Sequence, residues 1–491
     1  MKKKYSITSY LKNSLRFIGL NSVQAGVQFC YSTITSVAIP YFGIINNKEE
    51  ENGVYGIAQI TIGICGSIVG MIITLCVCGW SDRCTFKYGR RRIFIGIGVL
   101  FECISIIFLI TSEFTCKYCH IGYSPTSTNG IDWLSNILAF IGLSFMYLGA
   151  NFMSEPSHAL IPDFFNYKNQ QIAYFYSAAL GAISGFICNV IGGVILLTRC
   201  GYYYSIIFSI SFIVLLISFI PTLIVADEEK FIPPDEDFSF KRFILAPFIN
   251  TYHGIKEITI ELIIIYILLM LSWIAYYPAS FNMTIYYAKD IFHINNQTNP
   301  KFSTAISIGM FSTASFWFIQ VISPFVLPLF EKCYGKVRLY FISNIFAVFS
   351  YAILSIAPSI ISKNVAFNPS VTDILIISSC FIAHQITAFQ FVEMNSLPFS
   401  YMKKLVSSHS YATHLGLINV FITFGQIISL LLAAGLLQID VWTIMAFSSV
   451  CFLFVSLLST LLFFVDKKVD SLLHQVMKFE NETTTPNFIF E

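Results

Sequence analysis

Tyr147, Asn151, Glu155 and His158 lie four, four and three residues apart inside an otherwise apolar stretch. At helical pitch that spacing stacks a phenol, an amide, a carboxylate and an imidazole on one face. An ionisable side chain at the centre of a bilayer costs about 2.5–3.5 kcal/mol even on lenient insertion scales. Such a face therefore turns toward a cavity and not toward lipid. Its mixture of donors and acceptors suits a polyhydroxylated solute, and Glu155 beside His158 can carry a proton. The plainer alternative is that this pair only braces the surrounding helices. Gln390 and Glu393, three apart in a later apolar stretch, can form an opposite wall with a second proton carrier. Tyr276, Tyr277 and Tyr286 can stack on a sugar ring. Glu102 reads as structural, and His384 and His414 as satisfied interior histidines.

These residues need elements to hold them, and the composition says which. Of 491 residues 56% are hydrophobic and 11% charged, against roughly 25% charged in soluble proteins, so folding in water is excluded. A bilayer-spanning helix needs about 20 mostly apolar residues. Twelve such stretches are read here, at about 17–41, 54–80, 93–112, 133–162, 172–197, 203–226, 259–288, 303–330, 338–360, 371–400, 411–437 and 441–465. Pro40, Pro221, Pro328 and Pro398 fall near the expected helix ends, and Gly66/Gly70 and Gly181/Gly185 allow close helix approach. The polar stretch 227–258 divides the spans six and six. Twelve crossings put both termini on one side. Lys48, Lys117, Arg199, Lys289, Lys301 and Lys363 fall on the other side, and every remaining Lys and Arg falls on the terminus side. Basic short loops mark the cytoplasm. The loop 289–302 on the outer side carries the sequon Asn296-Gln297-Thr298.

The densest basic stretch is "GWSDRCTFKYGRRR" (79–92), between the second and third spans. Gly89 permits a tight turn there; Arg83, Arg90, Arg91 and Arg92 hold the loop at the membrane boundary and can pair with Asp82. A fainter copy, "CYGKVR" (333–338), joins the eighth and ninth spans, so Gly89 and Gly335 occupy matching places half a chain apart. A duplicated six-helix unit is the construction of major facilitator transporters. Within them, "GWSDRCTFKYGRRRIFIGIG" resembles the second cytoplasmic loop of the sucrose–proton symporters and their animal relatives. "AGVQFCYSTITSVAIPYFG" in span one places Gln28 at the family's glutamine. "NFMSEPSHALIPDF" in span four, "WIAYYP", "SLPFSYM" and "GLINVFITFGQII" follow the family's wording as well. The resemblance implies a twelve-helix solute carrier with Gln28 among its substrate contacts; spacing and side-chain chemistry add Tyr147, Asn151, His158 and Tyr286 to them. The chain departs from that pattern at informative places. Tyr147 stands where the family has its coupling Asp, His158 where it has its Arg, and Ser154-Glu155 where it has Gln-Gly. Asn282 to Tyr286 lacks both acids of span seven.

The expectation is an all-α integral membrane protein of the major facilitator type. It is divided as 1–16 cytoplasmic N-terminus, 17–226 first half, 227–258 central loop, 259–465 second half and 466–491 tail. Its function is transport of a sugar or glycoside-like solute by alternating access with proton coupling. The alternatives are an uncoupled carrier and, from another class, a transporter-like nutrient receptor. No cofactor, metal, nucleic-acid partner or enzymatic motif is expected. Cys116 and Cys119 form the one Cys-x-x-Cys pair in a polar loop, compatible with a disulfide. No cleaved leader is read at the N-terminus, and the expectation is a monomer in the plasma membrane.

Overall fold

In hydrocarbon every backbone N–H and C=O must be satisfied within its own segment or against protein, so apolar stretches of this length close as helices. The computed structural model describes residues 7–45, 58, 61–118, 133–165, 167–198, 203–228, 240–295, 299–366, 368–406 and 411–468. The sequon 296–298, Cys119, the first six residues and the tail beyond 468 lie outside the described residues, as do the side chains of Asp82 and Arg83.

Among the described residues thirteen α-helices follow one another. The first half comprises α1 (Ile7–Ile45), α2 (Val69–Arg83, preceded by a π-helical turn Gly63–Ile68), α3 (Arg92–Tyr118), α4 (Trp133–Phe164), α5 (Tyr167–Thr198) and α6 (Tyr203–Val225). After α7 (Phe240–Lys256) come α8 (Ile260–Tyr286, continuing into a π-helical turn Tyr287–Ile291), α9 (Pro300–Tyr334), α10 (Lys336–Ile360), α11 (Val371–Leu405), α12 (Tyr411–Leu436) and α13 (Trp442–Ser459). The face where α1 begins and α13 ends is called proximal here, the other distal.

Helices α1–α6 pack chiefly on one another, and so do α8–α13. The outer helices α6, α10 and α13 present large apolar side chains outward, among them Ile217, Phe349 and Phe454, each more than half exposed. That surface is suited to lipid, not water. Ten stretches among the described residues are long and apolar enough to cross a bilayer, and Gly66–Ser81 is a shorter apolar helix. The other two expected crossings fall on α1 and α2, where Gln24, Gln28, Thr35, Gly70 and Thr74, together with Gly66 just before α2, face inward. The four prolines expected near helix ends sit inside α1, α6, α9 and α11. Neighbouring helices at membrane depth can re-satisfy the carbonyls a proline frees.

One element was hidden in the sequence. The polar stretch 227–258 contains α7, whose Lys241, Arg242 and Lys256 made it read as a loop. It packs against α2 and α12, one helix from each half. Pro247 seats on Gly79, where an added Cβ would meet its Cγ at 2.6 Å.

The tightest helix pair is α3 with α4, where Gly98 and Gly149 meet backbone to backbone. A Cβ on Gly149 would lie 2.8 Å from the Gly98 carbonyl oxygen and 3.1 Å from the Glu102 nitrogen. Gly96, one residue pair away on α3, has nothing within 4 Å. Overpacking of this kind costs about 1–3 kcal/mol. Gly149→Ala is expected to lower the thermal unfolding midpoint of the purified protein by several degrees, whereas Gly96→Ala leaves it unchanged.

Candidate functional site

A cavity of about 860 Å³ lies between the halves, within the size range of small-molecule sites. It is lined by α1, α2, α4 and α5 on one side and by α8, α9, α11 and α12 on the other. These are the first, second, fourth and fifth helices of each half, so the duplication read from the two Gly loops reappears in which helices face inward. The spacing argument for α4 holds: Tyr147, Asn151, Glu155 and His158 all line the cavity, and Gln28 joins them from α1. Glu393 reaches the same cavity from α11.

Small residues on α2 make room for this face. An added Cβ would strike the Tyr147 ring at 2.6 Å from Gly66 and the Asn151 amide at 3.2 Å from Gly70. Asn151 Nδ2 donates to the Tyr147 carbonyl at 2.8 Å, and Thr74 Oγ1 donates to Asn151 Oδ1 at 3.0 Å. The amide is thus held from both ends with its edge toward the cavity. Gln24, absent from the sequence reading, donates through Nε2 to the Ser154 carbonyl at 3.1 Å and to Ser157 Oγ, tying α1 to α4.

Tyr286 is a correction. It is fully buried within the second half, where its hydroxyl donates to the Leu354 carbonyl at 2.6 Å, and it does not line the cavity. Earlier on α8, Trp273, Tyr276, Tyr277 and Phe281 face inward instead. They join Phe316, Trp317 and Phe391 in a continuous aromatic wall, with Tyr276–Phe391 centroids 4.7 Å apart and Trp273–Tyr277 5.8 Å. Two donors on this wall, Trp273 Nε1 and Gln320 Nε2, have no hydrogen-bond partner among the described residues. His384 is buried and bonded through Nδ1 to Ser312, as its reading as an interior histidine expects, and it also borders the cavity. His414 fits that reading: it is buried beside Tyr266, with 2.7 Å between Nδ1 and the hydroxyl. Glu102 is 1% exposed, away from the cavity, with neither carboxylate oxygen hydrogen-bonded among the described residues. Sequence reasoning missed Gln24, Trp273 and Gln320, whose side chains carry no charge and so drew no attention within apolar stretches.

The cavity is closed distally and extends proximally. Thr284 Oγ1 on α8 donates to the Ser36 carbonyl on α1 at 2.9 Å, and Ser307 Oγ on α9 donates to the Gly193 carbonyl on α5 at 2.7 Å. Ser36 in turn donates to Asn189 on α5 at 2.5 Å. Below these bonds Gly185 admits the Trp317 indole, 2.6 Å from where a Cβ would stand. In the proximal direction the lining runs on to half-buried Glu331 and to exposed Asn395 and Tyr174.

The basic loop folds onto its own half. Arg90 Nη2 and Arg91 Nε lie 2.7 and 3.3 Å from the two carboxylate oxygens of Asp163, at the end of α4. Arg91 Nη1 donates to Ser81 Oγ at 2.6 Å, and Arg92 Nη2 donates to the Leu223 carbonyl at 2.7 Å. Glu228, just past α6, accepts the backbone N–H groups of Arg91 and Arg92 at 3.0 Å. Burial pushes its carboxyl above the usual range, while those N–H bonds and Arg91 pull it back. The partners of the loop are therefore Asp163 and Glu228, supplied by α4 and the segment after α6. In the fainter copy Lys336 pairs with Glu331 at 3.2 Å. The Cys116 thiol donates to the Ile45 carbonyl at 3.1 Å. Among the described residues no group of three or more His, Cys, Asp or Glu is placed to hold a metal ion.

Comparison with known proteins agrees with this geometry. The model of the Major Facilitator Superfamily matches residues 24–407. Sucrose transport protein SUT5 of Oryza sativa is 23% identical over 385 residues, which is 74% of this chain and 69% of that protein. Among solved structures, a peptide transporter POT in complex with sulfate superimposes with a TM-score of 0.64 at 13% identity, covering 93% of this chain and 95% of that one. A D-xylose–proton symporter gives 0.56 at 13% identity, covering 89% and 96%. The two structures speak to the fold alone.

Gly89 and Gly335 both take positive φ, 115° and 80°, where a side chain is strained by about 1–3 kcal/mol. Only at Gly89 would a Cβ also press on Glu228, 3.0 Å from its Cβ; Gly335 has nothing within 4 Å. Gly89→Ala is expected to lower the thermal midpoint more than Gly335→Ala, in scanning fluorimetry of the purified protein.

Proposed function

Since the chain belongs to the Major Facilitator Superfamily and is a multi-pass membrane transporter, we propose that it moves a sugar-like solute by alternating access, coupled to protons. The observation that carries this reading is the composition of the cavity. One wall offers the amides, hydroxyl, carboxylate and imidazole of Gln28, Tyr147, Asn151, Glu155 and His158; the other offers aromatic faces with two unpartnered donors. A pyranose has the matching surface, with hydroxyls around its rim and C–H faces that stack on aromatic rings. The similarity to Sucrose transport protein SUT5 supports the same class of cargo.

Alternating access follows from how the halves touch. Among the described residues their distal contacts are two side chain-to-carbonyl bonds, the packing of α5 on α9, and aromatic or Met side chains seated on glycines. Such contacts are weak enough to part without unfolding either half, since a neutral hydrogen bond is worth about 0.5–1.5 kcal/mol. The conformation described is the one open to the proximal side. The distribution of Lys and Arg supports a cytoplasmic proximal face, on which reading the open side is the inward one. Glu155 in the first half and Glu393 in the second face one cavity. Either carboxylate can load a proton and solute together and release both when the cavity opens inward.

The test is uptake into proteoliposomes of a panel of radiolabelled sugars that includes sucrose, with and without an imposed inward proton gradient. The expected result is gradient-driven accumulation of one sugar. Glu155→Gln is expected to abolish accumulation while leaving counterflow exchange, as loss of the proton carrier requires. Uptake indifferent to the gradient identifies an uncoupled carrier and removes the coupling claim; saturable uptake of none of the sugars removes the cargo claim.

A further inference from the structure

His384 reaches the cavity from α11 with 4% of its surface exposed. Its Nδ1 lies 2.9 Å from Ser312 Oγ on α9. The Tyr287 hydroxyl, in the π-helical turn after α8, donates to that same Oγ at 3.1 Å. The valences of this chain settle its direction. Tyr287 supplies its hydrogen to Ser312, whose own hydrogen has Nδ1 as its acceptor. Were Nδ1 to carry a hydrogen, Ser312 Oγ would receive two donors and its own hydrogen would be stranded in a fully buried site. Leaving a buried donor unmade costs about 1–3 kcal/mol. The neutral imidazole is thereby set as the tautomer with hydrogen on Nε2. Its plane is fixed as well, stacked on Phe316 at 5.1 Å and 16°, with Phe316 stacked on Tyr276 at 6.2 Å and 20°.

We propose that His384 forms a solute subsite in which Nε2–H donates to a neutral or anionic oxygen of the cargo, with Tyr287 and Ser312 as positioning residues. The edge of the ring that Ser312 leaves free is a fixed donor on the aromatic wall. It accepts a hydroxyl or ring oxygen and rejects an ammonium group at that place, because two donors cannot pair. On the reading of a sugar-like cargo, this supplies directional recognition on the wall that is otherwise aromatic, opposite the polar face of α4.

Two arms test the subsite. In 15N-histidine NMR of the full-length protein in bilayers, the signal lost in His384→Gln is expected to report hydrogen on Nε2. Ser312→Ala or Tyr287→Phe is expected to mix the tautomers, which a merely space-filling role for those residues would not do. In proteoliposomes, His384→Asn keeps an acceptor facing Ser312 but withdraws the donor from the cavity. It is expected to raise the half-saturating concentration of the transported sugar about tenfold, close to one hydrogen bond. His384→Gln, whose Nε2 can stand in for the lost donor, recovers most of that loss. Hydrogen on Nδ1 in the unaltered protein overturns the proposal, and so does His384→Asn with unaltered half-saturation. If none of the panel sugars is carried, the cargo reading fails, while the NMR arm still decides the subsite.

Discussion

The structure rests on the absence of water from the bilayer core. A polar group there must be bonded within its helix, bonded to a neighbour, or turned to a shared aqueous space, because the remaining option costs several kcal/mol. Serine and threonine side chains along the bundle illustrate the first two choices. Thr222 on α6 donates back to Gly19 and meets Ser22, pinning α6 to α1, and Ser272 meets Tyr340 across α8 and α10. Gln28, Glu155, His158 and Gln320 collect between the halves, in the cavity, whereas Glu102 is buried away from it with neither carboxylate oxygen bonded among the described residues.

The two walls of that cavity differ in kind. The first half contributes polar side chains held by short local bonds, such as the Thr74–Asn151–Tyr147 sequence. The second contributes aromatic rings packed edge to face, which present flat surfaces at little conformational cost. Glycines decide how near the walls come. Gly66 and Gly70 let α2 sit against the α4 site residues, and Gly185 lets Trp317 cross from the opposite half. The same device therefore serves both to shape the site and to seal it distally.

Charge is handled at the proximal surface instead. The Arg90 and Arg91 side chains are engaged by Asp163, and the backbone N–H groups of Arg91 and Arg92 by Glu228, which ties the proximal ends of α3, α4 and α6 together. Its counterpart around Gly335 has a single Lys336–Glu331 pair and open space about the glycine. The duplication is thus kept in backbone geometry, with positive φ at both glycines, and relaxed in side chains. Helix α7 bridges the halves on this side, touching α2 and α12.

What the sequence determined follows from periodicity and exclusion. The spacing of Tyr147, Asn151, Glu155 and His158 gave them one helical face, and the cost of charge in lipid gave that face a cavity. The dearth of charge over long stretches gave the helices themselves. Other features required contacts between residues far apart in the chain. Tyr286 shares a helix and a residue type with Tyr276 and Tyr277, yet rotation along α8 carries it to the Leu354 carbonyl. His384 reads alone like any core histidine, and only the approach of α9 and the turn after α8 makes it a directed donor. Asp163 and Glu228 became the loop's partners because α4 and α6 end beside it, 72 and 137 residues from Arg91. A period marks which side of a helix is polar; what stands opposite that side is set by packing, which one helix cannot encode.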